Sequence, residues 1–254
     1  MNAKLARLLA GLVIAGFAGL GVSGSGGARA DTDAAARAEL DTHIRDYIMN
    51  NPEVIRDALL KLERDEEVER TKTVLREYKS DIYDSGSPEI GNAEGTIAIV
   101  EFFDYNCPYC RAAYLQIKDF LKDNPDTKVV LKDVASLGKD SEAVARVMIA
   151  AAKQKDIAAL HDALITRKGK VTEAHALEAA GKLGFDVARL TAEAKSSETG
   201  DSLTRTQDLA TRLSVTSTPL YIVGHNGIAG APEDLAAQLS AHVKEIRASG
   251  CDVC

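Results

Sequence analysis

The 254-residue sequence contains no tryptophan, and aromatic residues make up only 5% of it. We therefore expect a core of Ala, Leu, Val and Ile, carried mostly on helices. An excess of basic residues is missing as well, because the formal net charge is −7. Such a chain offers no broad basic surface to nucleic acid or to anionic lipid. The composition therefore indicates proteins as partners.

After residue 30 the sequence lacks any apolar run that is long enough to cross a membrane. Before it, Lys4 and Arg7 precede an apolar stretch from 8 to 22, and Ala28-Arg29-Ala30 follows. This layout is typical of a secretory signal peptide cleaved before Asp31. A membrane anchor is the alternative, although the stretch is shorter than the roughly 20 residues of a spanning helix. We predict that residues 1–30 are a signal peptide and that the protein is periplasmic, with association with the cell envelope left open.

Histidines at metal-ligand spacing are absent too, since the five histidines are scattered without a His-x-x-x-His pattern. The pair Cys107 and Cys110 therefore has only Cys251 and Cys254 as further zinc ligands. Instead, Cys107-Pro108-Tyr109-Cys110 directly follows the apolar run from 97 to 103, which predicts a strand. A strand that ends in a turn and delivers Cys-x-x-Cys to the start of a helix is typical of a dithiol redox site.

The position of each cysteine predicts its role. The unpaired N–H groups and partial positive charge of a helix N-terminus stabilise a thiolate, so Cys107 is the expected nucleophile. Cys110 lies one helical turn further and can form a disulfide with Cys107 that expels a bound substrate sulfur. The redox-active disulfide Cys107–Cys110 is thus the only redox group that we predict, with no separate cofactor and no metal.

Residues 31–84 are predicted to be a helical extension in front of the catalytic domain. Leu40, Ile44 and Tyr47 form one apolar stripe at helical spacing, and a second stripe runs from Val54 to Leu62 after a break at Asn50-Asn51-Pro52. These stripes require a partner surface. Self-association through coiled-coil-like packing is one possibility, and packing against the catalytic domain is the other.

Residues 85–248 are predicted to form the catalytic domain. A strand at 97–103, a helix from 107 to about 122 and a strand at 128–134 make a βαβ unit with parallel strands. A helical insertion is expected at about 139–214, with breaks near Gly169, Gly184 and Gly200. Pro219 must lie at a strand end or take the cis form. A hairpin turn at 224–227 and a helix at 232–247 complete the domain, and Gly91-Asn92 is predicted as a turn.

The segment Glu101-Phe102-Phe103-Asp104-Tyr105-Asn106-Cys107-Pro108-Tyr109-Cys110, the helical insertion and Thr218-Pro219 resemble the DsbA-like branch of the thioredoxin superfamily. The resemblance implies an α/β thioredoxin-like fold with an inserted helical domain. It also implies a cis Pro219 beside Cys107, with Pro108, Tyr109 and Thr218 in contact with substrate. Glu101 matches the buried acidic residue of that family, which exchanges a proton with the second cysteine.

Residues 44–55 are similar to the oligomerisation region of ScsC-like proteins, the suppressors of copper sensitivity, some of which are disulfide isomerases. Tyr109 stands where the strong oxidases of the family carry histidine, which implies a less oxidising disulfide. The resemblance predicts a thiol:disulfide oxidoreductase, isomerase or oxidase, that acts on unfolded or misoxidised exported proteins. It further implies a homo-oligomer and a membrane redox partner of the DsbB or DsbD/ScsB type.

Two alternative functions, and the state of the C-terminal tail, stay open at this point. Cys-Pro-Tyr-Cys also occurs in glutaredoxins, which reduce with glutathione, and thiolates suit Cu(I), so a copper-binding protein is conceivable. Residues 249–254 carry Cys251 and Cys254, for which we consider three states: a local disulfide, a soft-metal clamp and an inter-subunit tie.

Overall fold

The computed structural model describes residues 26–83 and 86–251. Most of the predicted signal peptide (residues 1–25) lies outside the described residues, as does Cys254. The chain divides into two compact units, and the second unit begins at Leu62.

The first unit consists of helix α1 (Gly26–Asn50) and the start of helix α2 (Glu53–Glu77). The interruption falls at the predicted break, where the Asn51 side-chain amide donates to the Tyr47 carbonyl at 2.7 Å. Pro52 follows at a first-turn position, where its missing N–H costs no helical hydrogen bond. Helix α1 starts within the segment that we predict as the signal peptide, and the cleavage before Asp31 stays a prediction.

The second unit is built on a mixed five-stranded sheet in the order β1-β3-β2-β4-β5. Its strands are β1 (Glu89–Gly91), β2 (Ile97–Phe103), β3 (Thr127–Asp133), β4 (Leu220–Val223) and β5 (Asn226–Ala229). Its helices beyond α2 are α3 (Lys79–Ile82), α4 (Pro108–Asp123), α5 (Lys139–Ala152), α6 (Ala158–Ile165), α7 (Glu173–Lys182), α8 (Val187–Ala194), α9 (Ser197–Arg212) and α10 (Leu235–Ser249). Strands β2 and β3 are parallel, as the βαβ prediction requires, and the other pairs are antiparallel.

Strand β1 corrects the sequence analysis, which expects only a turn around Gly91. The strand is short and pairs with β3 along one edge of the sheet, so three residues give too little periodicity to be recognised. Gly91 has φ +92, and a Cβ at this position would lie 3.0 Å from the Thr127 carbonyl oxygen and 3.2 Å from Lys128 Cα, both in the backbone of β3. The glycine is therefore required by close packing as well as by the turn.

Helices α5 to α9 form the insertion between β3 and β4, at the predicted place. Gly169 and Gly184 lie between helices with positive φ, but Gly200 does not mark a break, because it lies inside α9. The break comes earlier, where the Ser196 hydroxyl caps α9 by accepting from the Thr199 N–H at 3.2 Å. No helix within the described ranges combines the length and the apolarity that crossing a bilayer requires.

The two faces of the sheet are covered differently. One face packs on α4 and α10 and continues into the insertion. The other face presents Val100, Phe102 and Ile222, and these contact Leu75 of α2 and Ile82 of α3, both fully buried. The compact catalytic unit therefore begins about twenty residues before the boundary that we predict at residues 84 and 85, because the end of α2 supplies core side chains.

We expect Leu75→Ala to lower the free energy of unfolding by about 2–5 kcal/mol, because the substitution leaves a cavity under β2 and β4. Leu115→Ala is the matched control, since Leu115 is 64% exposed on α4 and its truncation should cost less than about 0.5 kcal/mol. Urea unfolding followed by circular dichroism measures both. Equal losses in the two variants would contradict the assignment of Leu75 to the core.

Candidate active site

The Cys-x-x-Cys motif stands at the junction of β2 and α4. Cys107 is the N-cap of α4 with extended backbone angles, and Pro108 occupies the first helical position. Both cysteines are free thiols and buried, and a hydrogen bond joins them. The exposed side chains of the motif are those of Pro108 and Tyr109. A substrate would thus meet the apolar Pro108 and Tyr109 before it reaches the Cys107 sulfur.

Strand β4 brings the predicted proline loop to the cysteines. The Thr218-Pro219 peptide bond is cis, as the resemblance implies. The Cys107 thiol donates to the Thr218 carbonyl oxygen, with 3.4 Å between sulfur and oxygen. Thr218 is partly exposed, so an extended chain that approaches Cys107 finds this backbone beside it.

Glu101 lies in the middle of β2, where only 4% of its surface is exposed. Burial raises the pKa of its carboxyl to about 7, since a charge is poorly solvated there. The Tyr221 hydroxyl donates to Glu101 Oε1 at 3.1 Å, and this hydrogen bond lowers the pKa of the carboxyl, against the larger effect of burial. Burial, followed by the charge of Glu101, raises the pKa of the Cys110 thiol. Because the thiol has the higher pKa of the two groups, Cys110 keeps its proton at a pH where the Glu101 carboxyl is already ionised.

The turn before Cys107 is held by Asp104, a residue that the sequence analysis does not single out. Its carboxylate is fully buried and accepts from the Asn106 N–H at 2.8 Å, the Ser141 hydroxyl at 2.8 Å and the Leu137 N–H at 3.0 Å. Three donors satisfy the buried charge and fix the turn to the start of the insertion. The sequence signal for this role was an Asp two residues before Asn106, the spacing of an Asx turn.

Asn106 and Arg111 attach the motif to the loop between α6 and α7. The Asn106 side chain donates to the Val171 carbonyl at 3.1 Å and accepts from the Val171 N–H at 2.7 Å. On the other side of the cysteines, Arg111 donates to the carbonyls of Arg167 and Gly169, both at 2.8 Å. Hydrogen bonds on both sides of the cysteine pair thereby attach it to one loop of the insertion.

His161 of α6 occupies the core behind the motif. It is fully buried, burial lowers its pKa to about 3, and its Nδ1 lies 2.8 Å from the Tyr105 hydroxyl. The imidazole is thus neutral at physiological pH, where it packs against the edges of Phe103 and Tyr114. This histidine serves packing, and within the described ranges no group of three or more His, Cys, Asp or Glu side chains could hold a metal ion.

Cys251 takes part in a disulfide. Because Cys107 and Cys110 are both free, the bond does not join the tail to the active site. Its sulfur packs, partly buried, beside the cluster that contains Val100 and Ile222. The predicted partner, Cys254, lies outside the described residues, so the Cys251–Cys254 pairing stays a prediction.

Residues 98–240 match the family model described as the DSBA-like thioredoxin domain, and residues 37–69 match the copper resistance protein ScsC N-terminal domain. The first match covers more than half of the chain and includes the cysteines, the insertion and the proline loop. This chain belongs to the DsbA-like thioredoxin family. The long insertion agrees with that membership and leaves the glutaredoxin-like alternative without support.

Solved structures of the DsbA-like family resemble the chain along most of its length. A thioredoxin-like oxidoreductase from Silicibacter pomeroyi is 32% identical, with 67% of this chain and 98% of that chain covered and a TM-score of 0.62. The thiol-disulfide exchange protein α-DsbA2 from Wolbachia pipientis is 25% identical, with coverages of 70% and 97% and a TM-score of 0.62. A Proteus mirabilis ScsC variant, 24% identical, shares the fold over 85% of this chain and 96% of its own, with a TM-score of 0.63.

The chain spans about a quarter of the length of the curated relatives that it matches. One of them, the Na(+)/H(+) antiporter NhaA 3 of Salinispora tropica, is 26% identical over 156 residues, which are 59% of this chain and 24% of that protein.

The raised pKa of Glu101 makes stability depend on pH. An unfolded glutamate ionises near its ordinary pKa of 4.5, whereas the folded one keeps its proton until about pH 7. The folded state therefore loses stability between these values, by on the order of 3 kcal/mol in total. We expect Glu101→Gln to remove this loss, so that the variant gains on the wild type as the pH rises from 4.5 to 7.

Urea unfolding of the reduced protein at several pH values tests this expectation. Glu94→Gln, which neutralises an exposed carboxyl, is the control and should show no such trend. A stability difference between Glu101→Gln and wild type that stays constant across this range would refute the buried, late-ionising carboxyl.

Proposed function

We propose that this protein catalyses thiol:disulfide exchange in exported proteins through Cys107 and Cys110. The observation that carries the proposal is the position of Cys107, which is the N-cap residue of α4 and whose sulfur contacts the Thr218 carbonyl. A nucleophilic sulfur, a helix N-terminus and a backbone edge for substrate thus meet at one point. The match to the DsbA-like family supports the same chemistry.

The proposed exchange proceeds in two steps, formation of a mixed disulfide and its resolution. The Cys107 thiolate attacks a substrate disulfide, forms a mixed disulfide and releases one substrate sulfur as a thiolate. The Glu101 carboxylate then takes the proton of Cys110, and the Cys110 thiolate attacks Cys107. A Cys107–Cys110 disulfide forms, the bond between Cys107 and the substrate sulfur breaks, and that sulfur leaves with the electron pair and is then protonated. This route oxidises the enzyme by two electrons and reduces the substrate disulfide. In isomerisation a second substrate thiolate attacks the substrate sulfur of the mixed disulfide instead, so that a new substrate disulfide forms and Cys107 leaves as a thiolate without net oxidation.

We propose isomerisation of wrong disulfides as the main direction. Tyr109 is uncharged and 66% exposed, so it supplies no cation next to the Cys107 sulfur. Without such a cation the thiolate is stabilised less, and the enzyme disulfide is a weaker oxidant. A weaker oxidant retains enough reduced Cys107 to attack misoxidised proteins. Reactivation of a scrambled disulfide-containing substrate, without added oxidant, tests this direction.

The proposed compartment is the bacterial periplasm. The predicted signal peptide supports it, and so does the likeness to a periplasmic thioredoxin-like protein of Salmonella enterica serovar Typhimurium, 27% identical. Disulfides persist in that compartment. A membrane redox partner of the DsbB or DsbD/ScsB type would restore Cys107 and Cys110 after each cycle.

We further propose that a second copy of the chain covers the apolar stripes of the first unit. Leu40, Ile44 and Tyr47 are about half exposed in the single chain, and so are Ile55 and Leu59. Leu40, Ile44 and Tyr47 follow one another at intervals of four and three residues, and Ile55 and Leu59 lie four residues apart, as in a coiled-coil seam. The match of residues 37–69 to the ScsC N-terminal domain supports this role. Two catalytic sites in one assembly would face one substrate, which favours isomerisation.

Single-cysteine variants test the division of roles. Cys107→Ser should abolish exchange, because it removes the nucleophile. Cys110→Ser should accumulate mixed disulfides, because nothing expels the bound substrate sulfur. Non-reducing gels and mass spectrometry of each variant with a scrambled substrate measure this accumulation. Equal trapping by both variants would overturn the assignment of Cys107 as the nucleophile.

A charge in the apolar stripe tests the assembly. We expect Ile44→Asp to lower the particle mass measured by light scattering to that of a single chain, since a carboxylate would be buried at the seam. Thr42→Asp adds the same charge two residues away on the same helix, to a side chain outside the stripe, and should leave the mass unchanged. An unchanged mass in Ile44→Asp would exclude this stripe as the interface.

A further inference from the structure

Tyr221 is the cross-strand neighbour of Glu101. The two residues stand opposite each other in the antiparallel pair of β2 and β4, and the Tyr221 hydroxyl donates to Glu101 Oε1 at 3.1 Å. Both side chains are almost completely buried. Among the described residues, Tyr221 is the one side-chain hydrogen-bond donor to this carboxylate.

Among the residues that the structure describes, no cation acts on the Glu101 carboxyl. Helix α4 contributes Cys110 and Tyr114, the turn after β2 contributes Tyr105, and Cys107 lies at the helix cap. Every one of these groups is neutral or negative when it titrates, so none of them stabilises the ionised carboxylate. The Tyr221 hydroxyl is the remaining group that does so.

Strand β4 thereby joins two parts of the site. Two residues before Tyr221, Pro219 follows the carbonyl that contacts Cys107. Strand β4 and the two residues before it thus carry the backbone beside the Cys107 sulfur and the hydroxyl that contacts Glu101. Displacement of β4 along β2 would separate the Tyr221 hydroxyl from Glu101 as well as Thr218 from Cys107.

We infer that Tyr221 is a positioning residue that holds the Glu101 carboxylate ready to take the proton of Cys110 when Cys110 releases the substrate. The inference rests on the proposed function. Tyr221 acts through Glu101, because its hydroxyl donates to the ionised carboxylate and keeps that charge in the core. Loss of this hydroxyl should leave the attack by Cys107 intact and slow the attack by Cys110 near neutral pH.

Tyr221→Phe removes the hydroxyl and keeps the ring. A hydrogen bond to a charged group stabilises the charged form, so we expect the ionisation midpoint of Glu101 to rise by about one pH unit or more. At pH 7 a rise of about one unit lowers the ionised fraction about five-fold. The rate at which Cys110 resolves a preformed mixed disulfide should fall by the same factor and recover at higher pH.

Carbon-13 NMR of the Glu101 carboxyl, assigned by its absence in Glu101→Gln, measures the midpoint in the full chain without any turnover. Tyr105→Phe is the matched control, because Tyr105 is also a buried tyrosine near the motif but its hydroxyl contacts His161. This control should leave the midpoint in place. Incorporation of 3,5-difluorotyrosine at position 221 strengthens the donor and should lower the midpoint, which provides a test that does not depend on Tyr221→Phe folding.

An unchanged midpoint in both Tyr221 forms, or an equal shift in Tyr105→Phe, would overturn the inference. The proposed function fails separately, if the wild type forms no mixed disulfide with a scrambled substrate. A wild type that exchanges disulfides while Tyr221→Phe resolves them at the wild-type rate across the pH range would reject Tyr221 alone.

Discussion

The active site depends on how the buried carboxylate of Asp104 is satisfied. A charge in the core is tolerated only when donors surround it, and here the donors come from the cysteine turn and from the insertion. The same constraint that stabilises the charge therefore sets the place of Cys107 relative to helices α5 to α9. Asn106 and Arg111 extend this attachment to the loop at 167–171. Substrate chemistry takes place at a turn that is anchored on three sides.

Two buried titratable groups near this turn respond to pH in opposite directions. Glu101 destabilises the folded state as the pH rises from 4.5 towards about 7, because the carboxyl ionises later in the fold than in the unfolded chain. His161 destabilises it as the pH falls from 6.5 towards about 3, because the buried imidazole resists the proton that the unfolded chain accepts. For these two groups, stability is greatest between about pH 4.5 and 6.5. In the proposed mechanism Glu101 takes the proton of Cys110, whereas His161 supports packing.

Helix α2 serves two purposes along its length. Its later part supplies Leu75 to the core beneath the sheet, while its earlier part leaves Ile55 and Leu59 exposed. The exposed part carries the second apolar stripe, and both stripes fall within the segment that matches the ScsC N-terminal domain. One continuous helix thus belongs to the catalytic core at one end and carries the proposed association surface at the other.

The sequence by itself determined the dithiol motif, the βαβ unit around it, the insertion and the break at Asn51-Pro52. Each of these follows from local chemistry: residue spacing, a proline at a helix start, or cysteines after an apolar strand. The burial of Glu101 was also predictable, through the resemblance and its apolar neighbours. Strand β1 and the start of the compact unit at Leu62 were not, because both depend on which distant surface a weakly patterned segment finds.

The hydrogen-bond partners of the site residues were determined by the tertiary structure alone. Tyr221 lies 120 residues from Glu101 in the chain, and Val171 lies 65 residues from Asn106. Hydrogen bonds across such separations leave no periodicity in the sequence, since they exist only after strands β2 and β4 pair and the insertion docks. The cysteines therefore indicate the chemistry from the sequence alone. Only the tertiary structure determines which distant groups lie close to them.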